Sequence, residues 1–247
     1  MSVVIPAYNE ERRLPKTLER ITAYLQEQDY PAEIIVVDDG SEDDTVSIVE
    51  RFIADHPNMS LIKNDHRGKG YAVRTGMLRA RGQYVLFSDA DLSTPIEEVA
   101  RLLPWFDEGY DVVIGSREGP GAKRYGEPPY RHLMGRVFNL IVRLLAVRGI
   151  RDTQCGFKCF RRDVARDLFS RVRLYGPEAG TVADSMVTAF DVEVLFLAQK
   201  IGYGIKEVPV EWHYFAESKV NPIKDSIRNF RDVCRVRLND LRGVYDG

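Results

Sequence analysis

Short apolar runs alternate with amphipathic stretches along the first half of the chain. Residues 3–5 are one such run, and Leu14, Leu18, Ile21 and Leu25 then recur at helical spacing within residues 10–28. Residues 34–37 are four consecutive branched apolar side chains, too few for a helix, and they run into the turn sequence Asp38-Asp39-Gly40-Ser41. Ser41 stands where it can cap the next helix, with Asp44 three positions on and Val46, Val49 and Ile53 on one face. The same pattern gives a strand at 60–63, a helix at 69–81, a strand at 84–88, a helix opened by Pro95 and a strand at 111–116. Alternation of this kind predicts an α/β fold on a mostly parallel, doubly wound sheet flanked by helices.

The pattern loosens after residue 116. Residues 119–129 hold three Gly and three Pro and read as a loop. An arginine-bearing amphipathic helix is expected at 131–148, a strand at 154–160, a loop at 176–184, a helix at 185–201 and a strand at 206–212. A charged, amphipathic C-terminal helix at 222–242 closes the chain. With 247 residues, 44% of them hydrophobic, the chain can bury roughly 75% of its unfolded surface. One domain over 1–247 is expected, with parts at 1–116, 117–220 and 221–247.

Composition narrows the function classes. Charged residues at 29% and aromatics at 10% exclude disordered and collagen-like chains. The three cysteines are odd in number, and Cys155 and Cys159 are spaced C-x-x-x-C, so reduced thiols are expected rather than a disulfide framework or a zinc site. No run of ~18 apolar residues and no secretory leader is visible, which points to a cytoplasmic protein. The net charge of −2 hides an uneven distribution. Residues 1–116 hold 12 Lys/Arg and 21 Asp/Glu, residues 117–173 hold 14 and 5, and residues 174–247 hold 9 and 11. A basic middle segment fits an anionic partner.

In parallel α/β sheets ligands bind at the carboxyl ends of the strands. Tyr8-Asn9-Glu10, Asp38-Asp39 and Asp89-Ala90-Asp91 all fall there, and their convergence marks a candidate crevice. The Asp89 and Asp91 carboxylates suit a hard divalent cation, which could bridge a diphosphate; a turn with a helix cap is the plainer reading of the same three residues. Asp38 or Asp39 can accept from a ribose hydroxyl or a base N–H, while the other serves the turn. Gly68-Lys69-Gly70 fails as a phosphate loop and as a dinucleotide fingerprint, so it reads as a helix-start turn from which Lys69 can reach a phosphate. The four histidines form no catalytic or H-E-x-x-H arrangement; His213, beside Trp212, is the one with functional promise.

Taken together, residues 3–10, Val36-Val37-Asp38-Asp39-Gly40-Ser41, Gly68-Lys69-Gly70 and Ser88-Asp89-Ala90-Asp91-Leu92-Ser93 resemble family 2 glycosyltransferases of the GT-A fold, whose nucleotide-binding half is Rossmann-like. Gly115-Ser116-Arg117, the stretch Arg151 to Lys158, Ala189-Phe190-Asp191-Val192-Glu193 and Glu217-Ser218-Lys219 are similar to the dolichyl-phosphate β-glucosyltransferases and their prokaryotic polyprenyl-phosphate relatives. The resemblance implies that Pro6, Tyr8, Glu10, Val37, Asp38 or Asp39, Lys69, Asp89 and Ala90 line a nucleotide sugar. Asp89 and Asp91 would bind Mg²⁺ or Mn²⁺, and Arg117, Arg131 and Lys219 the phosphate of a polyprenyl acceptor. Asp191 would act as a base or orient an arginine, ranking below Asp89 and Asp91 as a catalytic residue.

The implied activity is inverting transfer of a hexose, foremost glucose from UDP-glucose, to dolichyl or undecaprenyl phosphate. A lipid monophosphate is already an anion, so the lack of a histidine base is no obstacle. Ser93, where mannosyl relatives carry Gln, and His213, near where they carry Arg, weigh against GDP-mannose. A sugar-nucleotide pyrophosphorylase would carry a glycine-rich basic loop where residues 6–11 stand. A nucleic-acid binder would meet repulsion from the acidic first part. The N-terminal anchor of eukaryotic relatives is not seen, so a protein peripheral at the inner face of the cell membrane is expected. Leu133, Val137, Leu140, Ile141, Leu144 and Leu145 with Arg131, Arg136 and Arg143 suit an interfacial helix; packing on the sheet or on a second copy in a homo-oligomer is the other reading.

Overall fold

A computed structural model describes residues 1–182, 189–215 and 222–246, with 222–226 described by backbone alone. The chain runs through β1 (Ser2–Ala7), α1 (Leu14–Gln26), β2 (Glu33–Asp38), α2 (Thr45–Asp55), β3 (Met59–Lys63), α3 (Lys69–Arg79) and β4 (Tyr84–Ser88). A 3-10 turn at Ile96–Glu98 leads into the short helices α4 (Val99–Leu102) and α5 (Pro104–Asp107), then β5 (Val112–Ser116), β6 (Lys123–Tyr125), α6 (Pro129–Leu145) and β7 (Phe157–Arg161). The rest is α7 (Arg162–Arg171), α8 (Phe190–Ile201), β8 (Ile205–Pro209), β9 (Glu211–His213) and α9 (Pro222–Leu241).

The main sheet has the order β3-β2-β1-β4-β7-β5-β8 and is parallel except for β7. Its continuous apolar strands are explained by burial of both faces. Val4, Ile35, Val37, Val85 and Phe87 face the core under α3, α7 and α8. Their neighbours Val3, Ile5, Ile34, Val36 and Leu86 face the opposite core with α1 and α4. Each strand therefore feeds both cores in alternation, although its sequence shows none.

Several expectations are corrected. Residues 154–160 shift to β7 at Phe157–Arg161, and that strand runs antiparallel between β4 and β5. An apolar run carries no direction. The chain leaves β5 through α6 and returns at the carboxyl edge of the sheet, so β7 has to run the other way. Residues 206–212 split into β8, in the main sheet, and β9, which pairs with β6 inside the expected loop 119–129. Helix α7 went unread because its apolar side, Val164, Ala165, Leu168 and Phe169, is broken up by arginines and aspartates. Ser41 caps no helix: α2 begins at Thr45, and the Ser41 hydroxyl accepts from Asn9 N instead. Residues 185–188 of the expected helix 185–201 lie outside the described residues.

Helix α3 lies so close to the sheet that a Cβ on Gly76 would stand 2.3 Å from Val4 Cγ1 and 2.9 Å from Val37 Cγ2. Both valines are buried and stiff at χ1. Gly76→Ala should destabilise the fold by about 1–3 kcal/mol through overpacking, although alanine is the better helix former. A denaturant melt showing a Gly76→Ala midpoint at or above the parent's would contradict this packing.

Candidate active site

Because β7 is antiparallel, its entrance lies at the same edge as the exits of β1, β2, β4 and β5. The N-terminal ends of α3 and α8 arrive there too, through contacts of Lys69 and Asp191. Pro6, Tyr8, Glu10, Arg13, Asp39, His66, Lys69, Asp89, Ala90 and Asp91 line one cleft at this edge. Two non-glycine residues flanking it take left-handed backbone angles, Asn9 (φ 53°) and Leu92 (φ 47°). Such angles cost of order 1–3 kcal/mol and gather at functional sites.

One wall is built on Asp39. Its carboxylate accepts from Arg67 N, Gly68 N and His66 Nδ1, at 3.0, 2.8 and 2.8 Å. His66 Nδ1 also faces the Asp39 carbonyl at 2.9 Å, so this nitrogen carries the proton. The His66 ring lies flat against Tyr8, with centroids 3.9 Å apart and planes at 5°. Burial raises the Asp39 pKa against the pull of these donors. Asp38 takes the other role: its carboxylate accepts from Gly40 N and Ser41 N and shapes the turn. Val37 sits fully buried in the core. Neither Val37 nor Asp38 lines the cleft, so of the paired aspartates Asp39 is the one that faces it.

The opposite wall carries the two carboxylates. Lys69 Nζ lies 2.6 Å from Asp89 Oδ1, which is buried and forms no well-aligned hydrogen bond. Asp91 accepts from Ser93 N at 2.9 Å and lies 4.0 Å from Arg13 Nη1; Arg13 in turn grips Glu10 through two 2.8 Å hydrogen bonds. Burial, then the charge of Asp89, raises the Asp91 pKa. For Lys69 burial works downward, but Asp89 and Asp191 outweigh it and raise its pKa.

Asp89 is seated on Gly156, a contact invisible in the sequence. A Cβ there would stand 2.2 Å from Asp89 Oδ2 and 2.4 Å from its Cγ, so only glycine fits. Asp89 N donates to Gly156 O at 3.2 Å.

Asp191, Arg117 and Arg131 are not among the residues that line this cleft. Asp191 is buried against Lys158, with Oδ1 2.6 Å from Nζ. Arg117 is locked on Asp152 through Nε and Nη2 at 2.7 and 2.8 Å, beneath Trp212. Burial would raise the Asp152 pKa, but Arg117 overrides it and holds the carboxyl well below the usual range. Arg131 Nη1 donates to Tyr214 Oη at 2.6 Å. Lys219 lies outside the described residues. His213 donates its backbone N–H to Ser93 O at 2.7 Å and stacks on Tyr125.

Among the described residues no group of three His, Cys, Asp or Glu side chains converges as a metal site. Asp89 and Asp91 nonetheless suit a divalent cation. They are two adjacent carboxylates, one with a buried, poorly satisfied oxygen, and they supply part of a coordination sphere that phosphate oxygens can complete.

The fold and this cleft define a class. The family described as "Glycosyl transferase family 2" matches residues 2–169, and the chain belongs to it. Within that family it is 37% identical to a dolichyl-phosphate beta-glucosyltransferase of Dictyostelium discoideum, over 99% of this chain and 76% of the relative. It is 38% identical to that of Drosophila melanogaster (99% and 76%) and 34% to that of Homo sapiens (99% and 77%). Solved structures share the GT-A fold. A mannosyl-3-phosphoglycerate synthase from Rubrobacter xylanophilus superposes with a TM-score of 0.66 at 23% identity, over 98% of this chain and 73% of that one. A mannosyltransferase from Pyrobaculum calidifontis, solved with GDP-Man and Mn²⁺, gives 0.61 at 22%, over 98% and 64%. The expected fold class and family are thus borne out.

Two outcomes test the carboxylate pair. Without metal, Asp91 binds its proton more tightly folded than unfolded, so its contribution to stability falls as pH rises from the ordinary aspartate value through the raised one. Asp91→Asn should therefore melt no lower than the parent at neutral pH. It should also lose the rise in Tm expected of the parent when Mn²⁺ and UDP are added together. That rise is roughly 5–10 °C, since ligand at about 100 Kd adds about 2.7 kcal/mol and each kcal/mol shifts Tm by ~2–4 °C. Gly156→Ala should likewise stay folded and lose most of the Mn²⁺-dependent rise, because the methyl group displaces Asp89. A full rise in either variant removes its residue from the cation site.

Proposed function

We propose that this chain transfers glucose from UDP-glucose to the phosphate of a polyprenyl lipid, with inversion at the sugar carbon. The observation that carries the reading is the Asp89–Asp91 pair set opposite the Tyr8–His66–Asp39 wall, in a chain 34–38% identical to dolichyl-phosphate beta-glucosyltransferases. In this reading the uracil and ribose lie against Tyr8 and Asp39, and the diphosphate reaches Lys69. A divalent cation held by Asp89 and Asp91 would offset charge on the departing diphosphate.

Lys69 has a double role. It lies beside Asp89 and offsets the carboxylate charge, and in this reading it also reaches the phosphates of a bound nucleotide. The acceptor phosphate is an anion and needs positioning and charge compensation rather than a strong base. Arg131 is the nearer fit for that task. Arg117 has two of its nitrogens committed to Asp152, which leaves Nη1 for an anion. Asp191, gripped by Lys158, serves by holding cations in place rather than by taking a proton.

Labelled UDP-glucose and GDP-mannose, each offered with a polyprenyl phosphate and then extracted into organic solvent, test the donor. Label should enter the lipid phase from UDP-glucose, and faster transfer from GDP-mannose would reverse the assignment. Arg131→Ala should raise KM for the lipid phosphate several-fold with UDP affinity unchanged.

The acceptor's tail places the chain at a bilayer. Among the described residues no helix is long and apolar enough to cross one. Helix α6 offers another attachment. It buries only Asn139 and Val142, while Leu133, Val137, Leu140 and Leu144 are exposed, and its arginines 131, 136 and 143 face no acidic residue on the helix itself. Apolar surface with basic flanks suits an anionic interface. The parent should sediment with vesicles rich in anionic lipid, less so at high salt, and a Leu140→Glu/Leu144→Glu variant should stay in the supernatant. Dimers in the absence of lipid that the double variant abolishes, with no vesicle binding by the parent, would assign α6 to a second copy instead.

A further inference from the structure

We infer that Lys158 is a positioning residue for Asp89, acting through the Cys155–Gly156 peptide. The inference rests on the reading of Asp89 as a cation ligand. Lys158 lies in the middle of the sheet on β7, 1% exposed, opposite Phe87 of β4. Its ammonium donates to the Cys155 carbonyl and to Asp191 Oδ1, the latter at 2.6 Å, and stands 5.3 Å from the Phe87 ring centre. One ammonium therefore fixes the carbonyl on one side of the Cys155–Gly156 peptide. On the other side Gly156 receives Asp89 twice: its carbonyl accepts Asp89 N, and its α-carbon carries the carboxylate with no room for a methyl group. Rotation of that peptide would move the surface on which Asp89 rests.

Stability does not account for this buried charge. Replacing a buried ion pair by apolar groups of similar volume is often neutral or stabilising, whereas removing one partner alone is strongly destabilising. An apolar side chain at 158 would fill the space but could not hold the Cys155 carbonyl. Asp191 is the counter-charge beside the lysine, and it also lies close enough to Lys69 and Asp89 to act on both. Lys158, Asp191, Lys69 and Asp89 thus form a series of alternating sign that ends at the cleft.

The test reads binding rather than sugar transfer, so a wrong donor or acceptor does not touch it. The double substitution Lys158→Met/Asp191→Asn leaves no unpaired buried charge. Its metal-free Tm should stay within a few degrees of the parent, and UDP alone should bind within threefold. The Mn²⁺ concentration for half-saturation in the presence of UDP should rise tenfold or more. A purely structural role would weaken both kinds of binding together, or neither, and either result overturns the inference. Should the double variant not fold, Lys158→Arg decides, since it keeps both donors: Mn²⁺ affinity within threefold of the parent supports positioning, and a tenfold loss overturns it. A parent that binds no Mn²⁺ with UDP refutes the cation site itself and this inference with it.

Discussion

The carboxyl edge of the sheet depends on one contact, that of the Asp89 carboxylate with the α-carbon of Gly156. Two like-charged groups, Asp89 and Asp91, have to be held side by side at the mouth of a partly dehydrated cleft. Their like charge favours separation, and burial with the Asp89 charge raises the Asp91 pKa. The protein holds them by geometry as well as by charge. The turn after β4 is closed by Leu92 N on Asp89 O, and Leu92 is in a left-handed conformation. The antiparallel β7 then brings a glycine up beneath the first carboxylate. A parallel strand in that position would present its exit rather than its entrance, and residues 152–156 would lie at the other end of the sheet.

This also explains which parts of the site were legible in the sequence. Tyr8, Glu10, Asp39, Asp89 and Asp91 follow from one local rule: polar residues just past an apolar run lie at strand exits. That rule could not separate Asp38 from Asp39. The choice is set by His66, Arg67 and Gly68, which close on Asp39 from 27 to 29 residues away. His66 and Arg13 were missed because each joins the cleft only through side-chain partners that this rule does not reach: His66 stacks on Tyr8 and bonds Asp39, and Arg13 pairs with Glu10 and Asp91. Gly156 belongs to a stretch that pointed to a family, yet its physical task appears only when β7 is seen to run backwards. The core was legible as apolar runs, while its division between two faces needed the sheet.

The charge map read from the sequence was right in sign and too large in effect. Much of the basic middle segment is neutralised within the fold. Arg117 is held by Asp152, Arg124 by Glu118 and Glu127, and Arg171 by Asp167. These ion pairs brace loops, a short strand and helix α7, and leave little field for a distant anion. What remains accessible is the series on α6 and after it, including Arg136 and Arg148, which are exposed. Net charge by segment thus marks a basic part of the chain, but pairing decides which of its arginines can meet a ligand.

The small β6–β9 ribbon ties the carboxylate cleft to helix α6. Asp91 accepts from Ser93 N, Ser93 O accepts from His213 N on β9, and His213 stacks on Tyr125 of β6. Just beyond β9, the Tyr214 hydroxyl takes the hydrogen bond from Arg131 in the first turns of α6. A short series of contacts therefore links Asp91 to the first arginine of the exposed apolar helix. Transfer between a nucleotide sugar and a phosphate on a membrane lipid requires the two reacting atoms to meet within about 3–3.5 Å. In the proposed reaction a ribbon anchored at both ends would meet that demand better than a free loop, because it joins the Arg131 contact to Ser93, whose N–H donates to Asp91.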